Sequence, residues 1–504
     1  MIGKDKICAV VAAERPRSMW AQLERALRQT RTVELRLDWL LTEKEIHAFL
    51  RRVAIKRPRA TLIATCRRIE AGGRFRGTIA NQLLVLAEAI RAGCSWYDLE
   101  IESICKCPPE LLDVLLAEGR QLASAHFFRA NPRNWKSIAA ELRRSSPVAI
   151  KIAANSSSLA DGVSLLRFAK SNRNVVATPM GDLALPLRCL ALREGSALTY
   201  APVERATAPG QMSLDVMKNL YRADRISGKT RVYGVIGDPI AHSLSPQMQN
   251  AAFHARKMDA VYLPFLVHDL RDFLAAIKSL GVRGFSVTLP HKQKILRHLD
   301  DCDSLAAAIG AVNTVVVRGD RKLYGYNTDY IGVLRALQQR ISLTASRVLI
   351  LGAGGAARAV AFALAQAGTA VCVCARRPRE AKMLARAVGG ETVMRGQLRK
   401  EFFDAIVNAT PVGMFPAVEH SPLTSNELNC RLVFDLIYRP IETKLLQLAA
   451  RRGIETVSGV EMFLAQGAAQ WEIWTGERAA ITAMRRAVLD ALGTGKKKNL
   501  RARA

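Results

Sequence analysis

The sequence predicts an α/β protein in two halves: a (β/α)8 barrel, then a two-lobed α/β unit. Three observations predict it. Short apolar strands alternate with helix-period segments over about the first 220 residues. A polar connector, Arg222-Ala-Asp-Arg-Ile-Ser-Gly228, then breaks the pattern. A glycine-rich strand–helix turn opens a second β-α series near Ser346. The 504 residues suit two or three domains at about 150 residues each.

In the first half, strands are expected at 7–11, 33–37, 61–65, 96–100, 122–126, 148–152, 175–178 and 197–200, with helical stretches such as 79–92 and 159–170 between them. Eight strands of this kind argue for a closed barrel, with an open doubly wound sheet as the alternative. A new strand starts at Val232, and a smaller α/β unit extends to about Gly325. The domains read as 1–225, 231–330 completed by helices at 460–492, 331–459, and a disordered basic tail at 493–504.

Composition excludes several classes. Hydrophobic residues are 49% and charged residues 23%, against a mostly disordered chain, a collagen or a coiled-coil rod. No apolar stretch reaches the ~18 residues that span a bilayer. The apolar run 7–13 ends at Glu14 and Arg15 with no small-residue cleavage pattern, so it reads as a first strand, not a secretory leader. The net charge is +30, but the basic residues are scattered rather than blocked, which argues against a nucleic-acid surface. The exception is the tail, with Lys496, Lys497, Lys498, Arg501 and Arg503. The 10 cysteines are irregularly spaced. Cys105/Cys107 and Cys372/Cys374 lack a second pair at zinc-site spacing, so they read as thiols of a reducing compartment, with no metal. The cytoplasm is the expected location.

The glycine turn is Gly352-Ala-Gly354-Gly355-Ala356-Ala357, after the strand 347–351 and before a helix. Missing side chains let backbone approach a pyrophosphate, and the helix N-terminus offers free N–H groups to it. About 20 residues on, an NAD site carries Asp or Glu. This chain has Arg376 and Arg377, whose forked guanidiniums suit a 2′-phosphate. NADP is therefore expected over NAD.

Polar clusters punctuate the second half: Gly237-Asp-Pro-Ile-Ala-His-Ser243-Leu-Ser245-Pro, Ser286-Val-Thr288-Leu-Pro-His-Lys292, Gly310-Ala-Val-Asn313-Thr, Gly325-Tyr-Asn-Thr-Asp329, Asn408-Ala-Thr410-Pro-Val-Gly413-Met and Gln466-Gly-Ala. Over about residues 231–490 this resembles shikimate dehydrogenase. The resemblance implies a substrate lobe and a Rossmann NADP domain. It implies Ser243 and Ser245 on the substrate carboxylate, and Thr288, Asn313, Asp329 and Gln466 on its hydroxyls with Tyr438 nearby. Lys292 and Asp329 become the catalytic pair, and Thr410 and Gly459 join the cofactor site. Ser286 departs from the family's usual Asn. The residue types suit the chemistry, since an alkoxide forming on hydride transfer needs a proton-donating neighbour.

In the first half, Val33-Glu34-Leu-Arg36-Leu-Asp, Thr65-Cys-Arg67, Ala125-His126-Phe, Ile150-Lys151-Ile-Ala and Ala206-Thr207-Ala-Pro-Gly-Gln211 resemble type I 3-dehydroquinate dehydratase over about residues 5–220. Read from the residues, Lys151 lies in an apolar strand. A lysine directed into a barrel loses hydration, its pKa falls, and the neutral amine can attack a ketone. His126 ends the preceding strand and can titrate near neutral pH. By resemblance, Lys151 forms a Schiff base with 3-dehydroquinate, His126 moves the proton, and Glu34, Arg36, Arg67, Arg188, Thr207 and Gln211 bind substrate. The family's Glu before Gly72-Gly73 is Ala71 here, and Glu70 lies one residue earlier. Either Glu70 substitutes through a shifted loop or His126 lacks a carboxylate partner.

The two resemblances together imply a bifunctional enzyme that converts 3-dehydroquinate to 3-dehydroshikimate and then to shikimate. A quinate-preferring dehydrogenase half and a catalytically degenerate metabolite sensor stay open as alternatives. The sequence does not give the oligomeric state.

Overall fold

The computed structural model describes all residues except 1, 108–109, 111, 113–116, 130–131, 133, 205–209 and 502–504, with side chains to residue 493. The chain divides into two compact units, residues 1–231 with 259–281, and residues 232–258 with 282–504.

The first unit contains β1 (Ile7–Val11), β2 (Thr32–Arg36), β3 (Thr61–Thr65), β4 (Trp96–Glu100), β5 (Arg120–Phe127), β6 (Ala149–Asn155), β7 (Val175–Met180) and β8 (Thr199–Pro202). Their order is β7-β6-β5-β4-β3-β2-β1-β8, and the neighbours pair in parallel from β7 through to β8. Because β1 lies between β2 and β8, the sheet curls round. The Ala197 N–H bonds the Val175 carbonyl at 2.8 Å and brings the β7 and β8 ends together. This is the barrel and not the open sheet.

The surrounding helices are amphipathic for local reasons. In Glu43–Lys56, Ile46, Phe49, Leu50 and Val53 are buried at 3–4-residue spacing, and Thr42 with Glu45 closes a capping box. Alternation along the strands sorts the barrel interior. Cys8, Ile63, Trp96, Leu122, Ala149, Val176 and Tyr200 cluster as an apolar layer. Two residues further along, the same inward phase brings Thr65, Asp98, Ser124 and Lys151, and then Arg67, Glu100 and His126. The polar end is the C-terminal end of the strands, where barrels of this class carry their chemistry.

The other strands are β9 (Arg231–Gly237), β10 (Ala260–Leu266), β11 (Val282–Val287), β12 (Asp301–Cys302), β13 (Thr314–Val317) and β14 (Leu323–Tyr326), then β15 (Arg347–Leu351), β16 (Ala370–Cys374), β17 (Glu391–Thr392), β18 (Phe403–Asn408), β19 (Cys430–Asp435) and β20 (Glu455–Val457). One mixed sheet has the order β10-β9-β11-β13-β14-β12, the other β17-β16-β15-β18-β19-β20. The second is parallel throughout. Its order reverses between β15 and β18, which places a ligand crevice at their C-terminal ends. Val333 and Leu337 of the Asp329–Gln338 helix share a core with Ile350, Val360, Leu364 and Phe434. Full burial of such side chains contributes roughly 1.5–3 kcal/mol each. The helix that begins with Asp329 is thereby held fast by the nucleotide lobe.

The helix Ile481–Arg501 carries the backbone of the basic tail onward as helix. Lys, Arg and Leu are strong helix formers, and Gly493 and Gly495 cost only about 1 kcal/mol each there.

Candidate active sites

The barrel site is built on Lys151. Its Nζ lies 2.9 Å from Asp98 Oδ2 and 3.2 Å from Glu34 Oε1. It also lies 4.3 Å from the Tyr200 ring centroid. Its side chain is 5% exposed, those of Glu34 and Asp98 4% and 0%. Thr65 Oγ1 donates to Glu34 at 3.0 Å, and Ser124 Oγ to Asp98 at 2.7 Å. Arg67 Nη2 reaches both Asp98 oxygens at 3.2 Å. Burial pushes the Asp98 carboxyl up, but Lys151, Arg67 and His126 overcome it and hold it well below the usual carboxylate range. Two carboxylates therefore lie within reach of any proton that Nζ gives up before it attacks a ketone.

His126 sits one step higher. Its register partner is Ala153, two residues past Lys151 on β6. Both ring nitrogens are buried with no hydrogen-bond partner among the described residues. Burial, then the charges of Arg67 and Lys151, push its pKa well below the ordinary value, so the ring is a neutral base. The Phe128 ring stacks on it at 6.2 Å. Glu70 does not reach it: its side chain is exposed and pairs with Arg68 at 2.9 Å, while Ala71 is buried. Among the described residues, His126 thus has no carboxylate hydrogen-bonded to it.

Arg188 is 2% exposed, and none of its three side-chain nitrogens has a partner among the described residues. Burial pushes its pKa down to about 10, which still leaves it charged at neutral pH. A buried guanidinium without an anion is costly, and a bound carboxylate would satisfy it. Arg36 differs: Nε and Nη2 are committed to Asp38 at 2.9 and 2.8 Å. Although burial opposes it, Asp38 raises the Arg36 pKa above the ordinary arginine value. Gln211 is half-buried, and Thr207 lies outside the described residues.

Asp98, Ser124, Asp38 and Glu100 were missed by sequence reasoning. The signal was present in Trp96-Tyr-Asp-Leu-Glu100, where period-2 alternation puts Asp98 and Glu100 on the inward face with Trp96. Glu100 accepts from Gln82 Nε2 at 2.9 Å and from the Arg68 N–H at 3.2 Å. It thereby ties down the loop that carries Arg67. Burial raises its pKa.

In the second unit, Lys292 Nζ contacts Asp329 Oδ2 at 2.6 Å, with side chains 24% and 10% exposed. Asn313 Nδ2 donates to the other Asp329 oxygen at 2.8 Å. Asn313 Oδ1 accepts from Thr314 Oγ1 and from the Thr328 N–H, each at 2.7 Å. Asp329 opens its helix, where the dipole favours the anion. Ser243 Oγ accepts from the Ser245 N–H at 3.3 Å, a tight turn leading into the Ser245–Ala255 helix. Thr288 follows β11 and its N–H bonds the Ile236 carbonyl at 3.0 Å. Gly237 makes room for it: a Cβ there would lie 2.6 Å from Thr288 Cγ2.

The helix Gly459–Thr475 joins these pieces. Gly467 on it accepts from Gln249 at 2.9 Å, and Gln470 donates to the Asn313 carbonyl at 3.2 Å. Gln466 bonds the Phe463 carbonyl at 2.8 Å, and Tyr438 stacks on the Phe463 ring at 4.7 Å. Ser286 donates to Gln470 at 2.7 Å. The structure brings Lys292, Asp329 and Asn313 into direct contact. Among the described residues, Ser243, Thr288, Gln466 and Tyr438 make no hydrogen bond to that trio.

At the glycine turn, Gly352 has φ +110, a region that favours glycine. Nothing lies within 4 Å of a Cβ built on Gly354 or Gly355. The Gly355–Gln366 helix has no side-chain N-cap bond, so its first N–H groups, including that of Ala356, face open space suited to a pyrophosphate. Arg376 is exposed with no ion pair among the described residues, whereas Arg377 pairs with Glu380 at 2.6 Å. The Thr410 N–H and Oγ1 both donate to Asn408 Oδ1, at 3.0 and 2.7 Å. Gly459 has a packing reason: a Cβ there would meet the Leu436 carbonyl at 2.4 Å. Asn408 also donates to Asp435 at 3.0 Å, whose carboxyl burial pushes up to about 6.

Known proteins resemble both units. Residues 7–227 match the model for type I 3-dehydroquinase. Residues 235–315 match that for the shikimate dehydrogenase substrate binding domain, and residues 459–489 that for the shikimate 5′-dehydrogenase C-terminal domain. A chloroplastic bifunctional 3-dehydroquinate dehydratase/shikimate dehydrogenase of Arabidopsis thaliana is 33% identical over 495 residues, covering 93% of this chain and 82% of the relative. A shikimate dehydrogenase (NADP+) of Moorella thermoacetica is 45% identical, covering 53% of this chain and 96% of the relative. Among solved structures, a shikimate dehydrogenase in complex with NADP+ superposes with a TM-score of 0.50 at 38% identity, covering 53% of this chain and 97% of that one.

Proposed function

This chain belongs to the family of bifunctional 3-dehydroquinate dehydratase/shikimate dehydrogenases, and from its two sites we propose how it carries out the two reactions. It is a lyase and an NADP-dependent oxidoreductase of the shikimate pathway. The barrel dehydrates 3-dehydroquinate to 3-dehydroshikimate, and the second unit reduces that product to shikimate.

In the barrel, the Lys151 nitrogen attacks the ring ketone and water leaves, giving a protonated Schiff base. The iminium draws electrons from the adjacent C–H bond. His126, neutral and unpaired, takes that proton and returns it to the departing hydroxyl. Hydrolysis then frees Lys151. Arg188, Arg67, Thr207 and Gln211 hold the substrate, and Arg36, braced by Asp38, keeps one nitrogen free for it. The single observation that supports this reading most is Lys151 itself, buried between two carboxylates beneath an unpaired histidine. Borohydride added with 3-dehydroquinate should trap an adduct on Lys151, seen by peptide mass spectrometry. An unmodified lysine would count against the imine route.

In the second unit, NADPH supplies the hydride when bound. Ser243 and Ser245 hold the substrate carboxylate, and Thr288, Asn313, Gln466 and Tyr438 line the ring. Lys292 delivers a proton to the forming alkoxide, and Asp329 positions Lys292 while contacting a hydroxyl. Gly352, Gly354, Gly355, Ala356, Thr410 and Gly459 frame the cofactor, and Arg376 takes the 2′-phosphate with Arg377 beside it. No described helix is long and apolar enough to cross a membrane. The free thiols and the NADPH requirement fit a reducing compartment such as the cytoplasm.

A further inference from the structure

Schiff-base chemistry requires the amine to lose a proton before it attacks, and Lys151 Nζ lies against two carboxylates in a pocket where its side chain is 5% exposed. One of its neighbours must accept the proton. Asp98 is a poor candidate, because it takes hydrogen bonds from Lys151, Ser124 and Arg67. Three donors, two of them cations, stabilise the anion. Glu34 has less support. Among the described residues its carboxylate accepts only from Lys151 at 3.2 Å and Thr65 at 3.0 Å, both on Oε1. The other charged or titratable groups facing the pair are Cys8 on β1, Arg36 on β2, Arg67 beyond β3, His126 on β5 and Tyr200 on β8. The thiol and phenol already carry their protons, the guanidiniums cannot take one, and neither His126 ring nitrogen is hydrogen-bonded to Lys151 Nζ among the described residues.

We propose that Glu34 is a catalytic proton relay: it takes a proton from the Lys151 ammonium and gives it to the carbinolamine hydroxyl as water leaves. The inference rests on the Schiff-base reading above. The steps balance. Lys151-NH3+ passes one proton to the Glu34 carboxylate. The amine lone pair forms the N–C bond while the carbonyl π pair moves to oxygen. A proton shifts from nitrogen to that oxygen, giving a neutral carbinolamine. Glu34 returns its proton to the hydroxyl, the C–O bond breaks, and an iminium and water remain with Glu34 again an anion. Asp98 stays ionised throughout and positions the nitrogen.

The test is the rate of borohydride trapping at saturating 3-dehydroquinate, followed from about pH 6 to 9 in the full chain. Glu34→Gln should lower the plateau rate by about 10²-fold or more at every pH, and Glu34→Asp should recover part of it. A purely electrostatic Glu34 gives another result. Removing an anion beside the ammonium favours the free amine, so Glu34→Gln would keep the wild-type plateau and shift the profile to lower pH, which would overturn the proposal. If Glu34→Gln does not fold, Glu34→Asp decides, and a wild-type trapping rate in it overturns the proposal. A wild-type chain that forms no adduct would sink the Schiff-base reading itself, a result distinct from either.

Discussion

Each unit carries a lysine against a carboxylate, and the two pairs are built differently. Lys151 is 5% exposed between two carboxylates, inside a strand with apolar residues beneath it. Lys292 is 24% exposed against one carboxylate, in a loop after a strand. The difference fits the chemistry proposed for each. An amine that bonds to carbon must exchange protons where water is excluded, so it needs an internal acceptor. An ammonium that only lends a proton to an alkoxide can be resupplied from solvent, so one carboxylate to aim it suffices.

The largest effect separates the two sites. Lys151→Ala should abolish dehydration, on the order of 10⁴-fold or more, while reduction of 3-dehydroshikimate continues; loss of both in separate assays would break the contrast. Lys292→Ala should reduce the reduction kcat by about 10²–10⁴-fold and leave dehydration alone. An equal effect on KM with kcat unchanged would show a binding lysine instead. Arg376→Ala should weaken NADP by roughly 10-fold or more, the scale of a charged hydrogen bond, with NAD little changed. Arg377→Ala should matter less because Glu380 already occupies that guanidinium. Equal weakening of both cofactors would show that neither arginine reads the phosphate.

Two smaller effects are set by pH. His126 has its pKa depressed by burial and by Arg67 and Lys151. It therefore stays a base as pH falls through about 6.5, where an ordinary histidine is half protonated. The pH profile of dehydration should keep its rate there. Asp435 has a folded-state pKa of about 6 against roughly 3.9 unfolded. Between those values the folded state holds a proton that the unfolded chain has released, so stability falls as pH rises from about 4 to about 6. Thermal melts of Asp435→Asn should show a smaller fall across that window than the wild-type chain, and an unchanged fall would place the pH sensitivity elsewhere.

Much of this was legible in the residues, and the reasons differ by region. Strand alternation with helical periodicity revealed the barrel because the strands are short, largely apolar runs separated by helix-period segments. Lys151 and His126 were visible as polar residues at inward positions of apolar strands. Asp98, equally inward, was passed over because an Asp in a strand reads as ordinary polarity until its partners across three strands are known. The pairing of Arg36 with Asp38 and of Arg377 with Glu380 likewise depends on side-chain direction, which spacing alone leaves open. Ala71 in place of a glutamate was visible in sequence. That Glu70 turns to solvent and pairs with Arg68 needed the loop's geometry.

The most direct test is a mass-spectrometric time course of the full chain with 3-dehydroquinate and NADPH together. A rise and fall of 3-dehydroshikimate is expected, followed by shikimate equal to the NADPH consumed. Accumulation of 3-dehydroshikimate with no NADPH oxidation, or no change in 3-dehydroquinate at all, would contradict the assignment of two consecutive reactions to these two lysines.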